Sequence, residues 1–213
     1  MEQYIWSLDI STTNIGSALW SSKGKLIELK HLELKISKDV NQDDRIIHKA
    51  EIFRKYVLDF KDRILNELNG EIIHIIIEQP LGGSNNPTTM SLLYGFNGIC
   101  TYILYQIFNL YPTKISVHES RKVFLVNLVH VEKRKNELVE VLSFPKEYID
   151  KKKLYIWEKV RKLEKNIVWF YKKDGSPKDM NYDMADSVVV GIAGLIKLNI
   201  ITKEDWKKKY LSI

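Results

Sequence analysis

The sequence predicts an α/β protein built around one mixed sheet with helices on its faces. Three observations indicate this class: strand-like segments open the chain, an isoleucine-rich strand follows a long amphipathic segment, and helical patterns alternate with strands afterwards. Such alternation is typical of sheets that have helices packed against them. With 213 residues, of which 45% are hydrophobic, the chain can form one large domain with a substantial core.

The N-terminal part predicts three strands. "YIWSLDI" and "NIGSALWSS" are rich in strand-favouring residue types, and Gly24 suits a tight turn into the third segment, "KLIELKHLELKI". Asp9 lies inside the first strand, although aspartate is depleted in strands and a buried charge needs a partner or a metal ion. It is therefore either an acid near a strand end that faces solvent, or a residue that the strand holds for function.

The middle of the chain predicts two long helices around a central strand. Apolar residues recur at spacings of three and four over residues 44–68, which indicates an amphipathic helix that ends at Asn69 and Gly70. "EIIHIIIEQP" follows, and its unbroken isoleucine run is typical of a parallel strand that is buried on both faces. Residues 88–110 predict the second helix, which is apolar over most of its surface and therefore lies in the core or packs against a partner.

The C-terminal part predicts a short strand in "TKISVHES", a helix that extends to about Leu128, and a final helix that begins near Asp183. A lysine-rich segment at about residues 130–180 lies between the last two helices. We expect a helical insertion here, with a helix in "KKLYIWEKVRKLEKN" and a strand in "IVWFY". The last residues, "KEDWKKKYLSI", are polar and are expected to be peripheral.

Composition sets broad limits on function. Lys and Arg total 33 against 27 Asp and Glu, so the formal net charge is +6, which suits a nucleic-acid partner without requiring one. Cys100 is the single cysteine, so we expect no internal disulfide and a reducing compartment such as the cytoplasm. The pattern of a signal peptide is lacking, and no apolar stretch of about 18 uncharged residues predicts a membrane span.

Four acidic residues stand out by their positions. Asp9 lies in the first strand and Glu78 closes the isoleucine-rich strand, so the two meet if these strands are neighbours. Asp183 and Asp186 are three residues apart at the start of the last helix and share one of its faces. Converging carboxylates repel one another and need a compensating cation, for which hard divalent ions are the natural choice. Two such ions about 4 Å apart suit the hydrolysis of a phosphodiester.

Each of these acids also has an explanation without a function. Asp9 and Glu78 could be charges at strand ends that face solvent. Asp183 and Asp186 could be first-turn acids that interact favourably with the helix dipole. Only the combination of the four residues with the predicted fold favours a metal site.

Three segments together resemble the RuvC-type Holliday junction resolvases of the RNase H-like and integrase superfamily. "LDISTTNIG" is similar to the opening strand and turn of that family. "IIIEQPLGGSNNPTTMSLLYGFNGI" is similar to a later strand of the family that ends in "EQ", with the loop and helix that follow it. "YDMADSVVVG" is similar to the closing helix of the family, which carries a D-x-x-D motif. They occur in family order and cover about residues 3–128 and 181–198. The resemblance implies an RNase H-like fold with a central five-stranded mixed sheet flanked by helices.

The resemblance also implies a function. Asp9, Glu78, Asp183 and Asp186 would bind two Mg²⁺ ions, for which Mn²⁺ could substitute. The protein would resolve Holliday junctions and other branched DNA by paired nicks. Because the two cuts are symmetric, a homodimer is expected, and the helix at 88–110 would contribute to its interface.

The sequence departs from the family in two places. Bacterial members often carry an aromatic residue in the loop after "EQ", which is proposed to wedge into the junction. The corresponding loop, "PLGGSNNPTT", has no aromatic residue, which leaves Leu81 as the candidate for that role. The segment at 130–180 is longer than in compact bacterial members and is more like that of phage or viral relatives.

Basic residues before the last helix would contact DNA phosphates, which supply most of the affinity of such complexes. The candidates are Arg121, Lys122, Lys133, Arg134 and Lys135. Lys122 is the candidate for a catalytic position near the scissile phosphate, because it begins a helix soon after a strand end. Each of these basic side chains could also lie on a solvent-exposed helix face without contacting DNA.

Two other functions stay open at this point. "LDISTTNIG" also resembles the phosphate-binding turn of actin-like ATPases and sugar kinases, which would make the protein an ATP-binding phosphotransferase. Those proteins duplicate the fold and carry later glycine-rich nucleotide motifs, and this sequence has neither that length nor those motifs. The other alternative is a non-catalytic module that binds branched DNA, which the presence of all four acids disfavours.

Overall fold

The centre of the molecule is a five-stranded mixed sheet. The computed structural model describes residues 1–41, 44–80, 87–134 and 137–212. The strands are β1 (Glu2–Ile10), β2 (Asn14–Ser21), β3 (Leu26–Glu33), β4 (Gly70–Gln79) and β5 (Thr113–Ser116), and their order in the sheet is β3-β2-β1-β4-β5. The helices are α1 (Arg45–Asn66), α2 (Pro87–Phe108), α3 (Val117–Phe124), α4 (Lys152–Leu163), α5 (Met180–Lys197) and α6 (Lys203–Leu211). A separate two-stranded sheet consists of β6 (Val129–Arg134) and β7 (Glu137–Leu142).

The direction of the strands changes in the middle of the sheet. β1, β2 and β3 form an antiparallel meander, whereas β4 runs parallel to β1 and β5 runs parallel to β4. Parallel neighbours need a crossover connection, and α2 provides it between β4 and β5. β1 is therefore the central strand, and its residues from Tyr4 to Leu8 are buried on both faces.

Helices cover both faces of the sheet. α1 and α2 pack against one face, where the rings of Trp6 and Phe60 stack with centroids 4.0 Å apart. α5 covers the other face, with α3, α4 and α6 around it. α5 lies close to the sheet because Gly191 has no side chain: a Cβ there would lie 2.6 Å from Ser7 Oγ and from the ring of Trp20. Within the described ranges, each helix is too short or too polar to span a membrane.

The predicted fold class is confirmed: the protein is α/β, with a five-stranded mixed sheet flanked by helices. The helix expected over residues 44–68 corresponds to α1, and the turn that follows contains Asn69 in the left-handed conformation, with a φ of 46°. α5 begins at Met180, so Asp183 lies in its first turn.

The segment at 130–180 differs from the helical insertion that we expected. Its first part is the hairpin of β6 and β7, and α4 is its one α-helix among the described residues. Of the strand expected in "IVWFY", only Tyr171 makes a bridge, to Pro177. The hairpin forms because β-branched residues recur at every second position, and this period favours strands over helices. These residues are Val129 and Val131 in β6, and Val139 and Val141 in β7.

The expectation of a peripheral C-terminal tail is wrong. The hydroxyl of Thr202 accepts a hydrogen bond of 3.0 Å from the backbone N–H of Asp205, which caps the start of α6. Trp206 and Tyr210 are buried, and both rings contact Phe124. The tail is polar in composition, but its two aromatic residues are four positions apart and lie on one helix face.

Candidate metal-binding active site

The register of β1 and β4 brings Asp9 next to Glu78. The two strands are parallel, and their paired residues end one position before these acids, so the two side chains lie side by side. Residues two apart in a strand share a face of the sheet. Ser7 faces α5, because its Oγ donates a hydrogen bond of 2.9 Å to the carbonyl of Ser187. Asp9 therefore faces α5 as well.

A close approach between β2 and α5 brings the other two acids to the same place. Gly16 pairs with Asp9 across β1 and β2, and it faces the first turn of α5. A Cβ at Gly16 would overlap the carbonyl group of Asp183, so the helix can begin this close to the sheet only because the residue is glycine. Asp183 and Asp186 then share the helix face that lies over the strand ends.

The start of α5 is also fixed by the loop that precedes it. The buried side chain of Asn181 makes two hydrogen bonds with the backbone of Phe170. Its amide group donates to the Phe170 carbonyl at 2.6 Å, and its side-chain oxygen accepts from the Phe170 N–H at 3.1 Å. Both the sheet and this loop therefore hold the turn that carries Asp183.

All four carboxylates line one cleft of about 560 Å³. Arg121 from α3 and Lys153 from α4 line the same cleft, so it contains acids and cations together. The turn between β1 and β2 closes one side. There the Oγ of Ser11 accepts a hydrogen bond of 3.0 Å from the Asn14 N–H and donates one of 2.8 Å to the Asn14 carbonyl. The "STTNIG" segment thus forms a hairpin turn that is closed by its own side chain.

The acids perturb one another strongly. Burial, and then the charge of Asp186, raises the pKa of Asp9 to about 7. Burial and the neighbouring Asp9 raise the pKa of Glu78 well above its usual range. Burial also raises the pKa of Asp186, although Lys153 and Arg121 oppose this shift. Perturbed acids in one cleft are typical of functional sites, and a bound cation would favour their ionised forms.

Two basic side chains that the sequence analysis did not single out contact the acids. Lys153 Nζ lies 3.8 Å from Asp183 Oδ1 and 3.6 Å from Asp186 Oδ2. His31 Nε2, from β3, lies 3.3 Å from Asp183 Oδ2. His31 reaches this position because it pairs with Gly16 across β2 and β3. No local pattern distinguishes Lys153 from the lysines beside it.

The donor set of the cleft suits a hard divalent cation, because carboxylate oxygens are the ligands that Mg²⁺ and similar ions prefer. In the described ranges, however, no group of three or more acidic, histidine or cysteine side chains is already arranged around a metal position. Two of the carboxylates contact basic side chains instead, Asp183 with His31 and Lys153, and Asp186 with Lys153. An ion would have to displace some of these contacts. Lys153 can be displaced, because its side chain is 55% exposed.

The two neighbouring basic residues of α3 face different clefts. Arg121 lines the carboxylate cleft. Lys122, the candidate for the scissile phosphate, lines a second cleft of about 500 Å³ together with Lys203 and Lys207 of α6. The structure therefore brings Arg121, and not Lys122, to the four acids.

The remaining predicted DNA-binding residues lie on the hairpin or outside the described residues. Lys133 and Arg134 are at the end of β6, and Arg134 Nη2 forms an ion pair of 3.0 Å with Glu132. Lys135 lies outside the described residues, as does Leu81, the candidate for a wedge into the junction. Lys133 and Arg134 are not among the residues that line the carboxylate cleft.

The fold matches solved structures, although the sequence does not match known families. No family model matches the chain, and no curated protein matches it. RuvC of Thermus thermophilus in complex with a Holliday junction substrate has a TM-score of 0.54 at 9% identity, over 94% of this chain and 97% of that chain. A second structure of Thermus thermophilus RuvC has a TM-score of 0.51 at 11% identity, over 92% of this chain and 95% of that chain.

These two similarities show that the fold is RNase H-like, as in RuvC. ROK hexokinase from Thermus thermophilus has a TM-score of 0.33 at 12% identity, over 56% of this chain and 36% of that chain. A score this low gives no argument for or against the phosphotransferase alternative.

Proposed function

We propose that the protein is a divalent-metal-dependent endonuclease that cuts branched DNA, with the four-way Holliday junction as its substrate. One observation carries this proposal: Asp9, Glu78, Asp183 and Asp186 converge in one cleft of an RNase H-like fold. A RuvC with this fold has been solved with a Holliday junction substrate, which supports the choice of substrate.

The four carboxylates would hold Mg²⁺, with Mn²⁺ as a substitute, and the set is large enough for two ions. A bound ion would supply an activated water and would stabilise the charge on the leaving oxygen. Burial and Asp9 raise the pKa of Glu78, so binding of an ion to Glu78 would be coupled to the release of a proton. The products would carry 5′-phosphate ends.

Arg121 fits the position at the scissile phosphate that the sequence suggested for Lys122. Arg121 lines the cleft beside the acids, and its guanidinium group would bind the phosphate oxygens in a bidentate manner. Lys122 faces the neighbouring cleft and suits a phosphate further along the strand. Lys133 and Arg134, with Lys135, would contact an arm of the junction, because a two-stranded ribbon fits the major groove.

Paired nicks require two active sites, so we propose that the protein acts as a two-fold symmetric homodimer. α2 is the candidate for the interface because it leaves large apolar side chains exposed, with Leu92 at 53% and Tyr102 at 62% exposure. Light scattering of the purified protein measures this state directly.

Cleavage of a synthetic four-way junction in the presence of Mg²⁺ tests the proposed function. The wild type should make paired, symmetric nicks, and EDTA should abolish them. Asp9→Asn should reduce cleavage by more than about 100-fold, because even residues that only support a metal ligand contribute about 10- to 100-fold. Binding of the junction should stay within about threefold of wild type, because phosphate contacts dominate the affinity.

Asp59→Asn is the matched control, because it makes the same change at an exposed position of α1. Equal cleavage by the wild type and Asp9→Asn would contradict the proposal. Tight binding without any cleavage by the wild type would favour the non-catalytic binding module. Calorimetric titration with ATP tests the phosphotransferase alternative, and no heat of binding is expected.

A further inference from the structure

Lys153 occupies an unusual position for a lysine. It is the second residue of α4, and a positive charge near a helix N-terminus is unfavourable for the helix itself. Tyr155, Ile156 and Trp157, which begin two residues after Lys153, are buried in the core, so the backbone of this turn is held firmly. The stem of Lys153 therefore starts from a fixed point, while its side chain stays 55% exposed and can move.

The Lys153 ammonium group lies between the two acids of α5. It is 3.8 Å from Asp183 Oδ1 and 3.6 Å from Asp186 Oδ2, and these two carboxylate side chains are only 15% and 9% exposed. Two carboxylates with so little solvent need a positive neighbour. In the metal-free protein, Lys153 supplies this charge on the side of the cleft that α5 forms.

The same oxygens are the ones that a divalent ion would need. Among the described residues, the carboxylates are not arranged around a metal position, and Asp183 and Asp186 contact Lys153 instead. A divalent ion and an ammonium group at the same two carboxylates repel each other, so the presence of one weakens the binding of the other.

We propose that Lys153 is a built-in cation of this site, which neutralises Asp183 and Asp186 in the metal-free protein and competes with a divalent ion for them. The inference rests on the proposed metal-dependent function. It assigns Lys153 a role in setting the metal affinity, and it predicts that the metal-free site is stable because the chain carries its own counter-charge.

Calorimetric titration with Mn²⁺, in the absence of DNA, tests this inference on the full-length protein. Lys153→Met removes the charge and keeps most of the length of the side chain. This variant should bind Mn²⁺ more tightly than the wild type by about fivefold or more, which is the usual lower range for coupled sites. Lys152→Met removes the same charge one residue earlier in the chain and should bind Mn²⁺ within about twofold of the wild type.

A second measurement separates charge from packing. Lys153→Arg keeps the charge and should bind Mn²⁺ like the wild type. Thermal melting in EDTA should show a lower melting temperature for Lys153→Met than for Lys152→Met. Saturating Mn²⁺ should raise the melting temperature of Lys153→Met by more than it raises that of Lys152→Met. If Lys153→Met does not fold in EDTA but folds on addition of Mn²⁺, the same conclusion follows.

The outcomes that overturn the inference are distinct from those that overturn the proposed function. Equal or weaker Mn²⁺ binding by Lys153→Met, with clear binding by the wild type, overturns the role of Lys153 and leaves the metal site intact. Absence of Mn²⁺ binding in every variant overturns both the inference and the metal-dependent nuclease.

Discussion

The acids of the cleft lie on elements at the centre of the fold, whereas its cations lie on helices around them. The four carboxylates lie on β1, β4 and α5, which are the elements at the centre of the fold. The cations Arg121 and Lys153 lie on α3 and α4, which surround α5. The acids are therefore fixed by strand register and close packing, whereas the cations reach the cleft on long and partly exposed side chains.

This difference suggests a division of labour. Acids that bind a metal must be held in one geometry, and this requires side chains whose rotamers are locked by the packing around them. Cations that bind DNA or exchange with a metal must be able to move, and partly exposed side chains allow this. Three predictions test this division, from the largest expected effect to the smallest.

Gly16→Ala should damage the acidic part of the cleft most. Its Cβ would overlap the carbonyl group of Asp183, so the first turn of α5 must shift. Overpacking of this kind costs about 1–3 kcal/mol of unfolding free energy, and cleavage should fall with it because Asp183 moves. Urea denaturation and the junction assay measure the two effects.

Gly95→Ala is the control for this substitution. Gly95 lies on α2, and a Cβ there would meet nothing within 4 Å. Alanine is the better helix former by about 1 kcal/mol, so this variant should be at least as stable as the wild type. Equal stability and activity of Gly16→Ala and the wild type would show that the acids are not held by close packing.

The stability of the metal-free protein should fall as the pH rises from about 4 to about 7. The pKa of Asp9 rises from its ordinary value of 3.8 to about 7 in the folded protein, so the folded state binds more protons than the unfolded state between these values. The loss over this interval should be on the order of 4 kcal/mol, because each pKa unit corresponds to about 1.4 kcal/mol, and it is complete above the folded pKa. Glu78 adds to the trend, because its pKa is also raised.

Unfolding in urea at pH 5 and pH 8, with EDTA, measures this dependence. Asp9→Asn should lose much less stability over the same interval, because the amide does not titrate. Mn²⁺ should reverse the trend, since it favours the ionised carboxylates. The same pH dependence in the wild type and Asp9→Asn would contradict the raised pKa that we assign to Asp9.

Arg121→Ala and Lys122→Ala should separate the two neighbouring cations of α3. Arg121 lines the carboxylate cleft, so its removal should slow single-turnover cleavage about tenfold, as expected for one lost contact to a charged group. Lys122 faces the second cleft, so its removal should weaken junction binding and leave the cleavage rate within about twofold. The reverse result would restore Lys122 to the position near the scissile phosphate.

The acidic part of the site was predictable because it follows regular elements. An isoleucine run that is buried on both faces indicates a central parallel strand, and this brings its last acid, Glu78, to the end of a neighbouring strand. The spacing of Asp183 and Asp186 indicates a shared helix face. The structure brings these acids together, and their role as metal ligands stays a prediction.

The basic part was not predictable for physical reasons. Lys153 is one of several adjacent lysines, and only the packing of α4 on α5 selects it. His31 depends on the exact register of β2 and β3, which short sequence patterns do not determine. The sequence predicts a helical insertion at about 130–180 instead of the hairpin, because lysines and glutamates obscure the alternation of the valines in β6 and β7.

Anomalous diffraction from crystals grown with Mn²⁺ tests the central claim most directly, which is that the four acids form one metal site. We predict a peak in the cleft with carboxylate oxygens of Asp9 and of at least one acid of α5 within about 2.0–2.6 Å. Lys153 should then be displaced from at least one of its two carboxylates. A cleft without a peak, in which Lys153 keeps both contacts while Mn²⁺ binds elsewhere, would contradict the account.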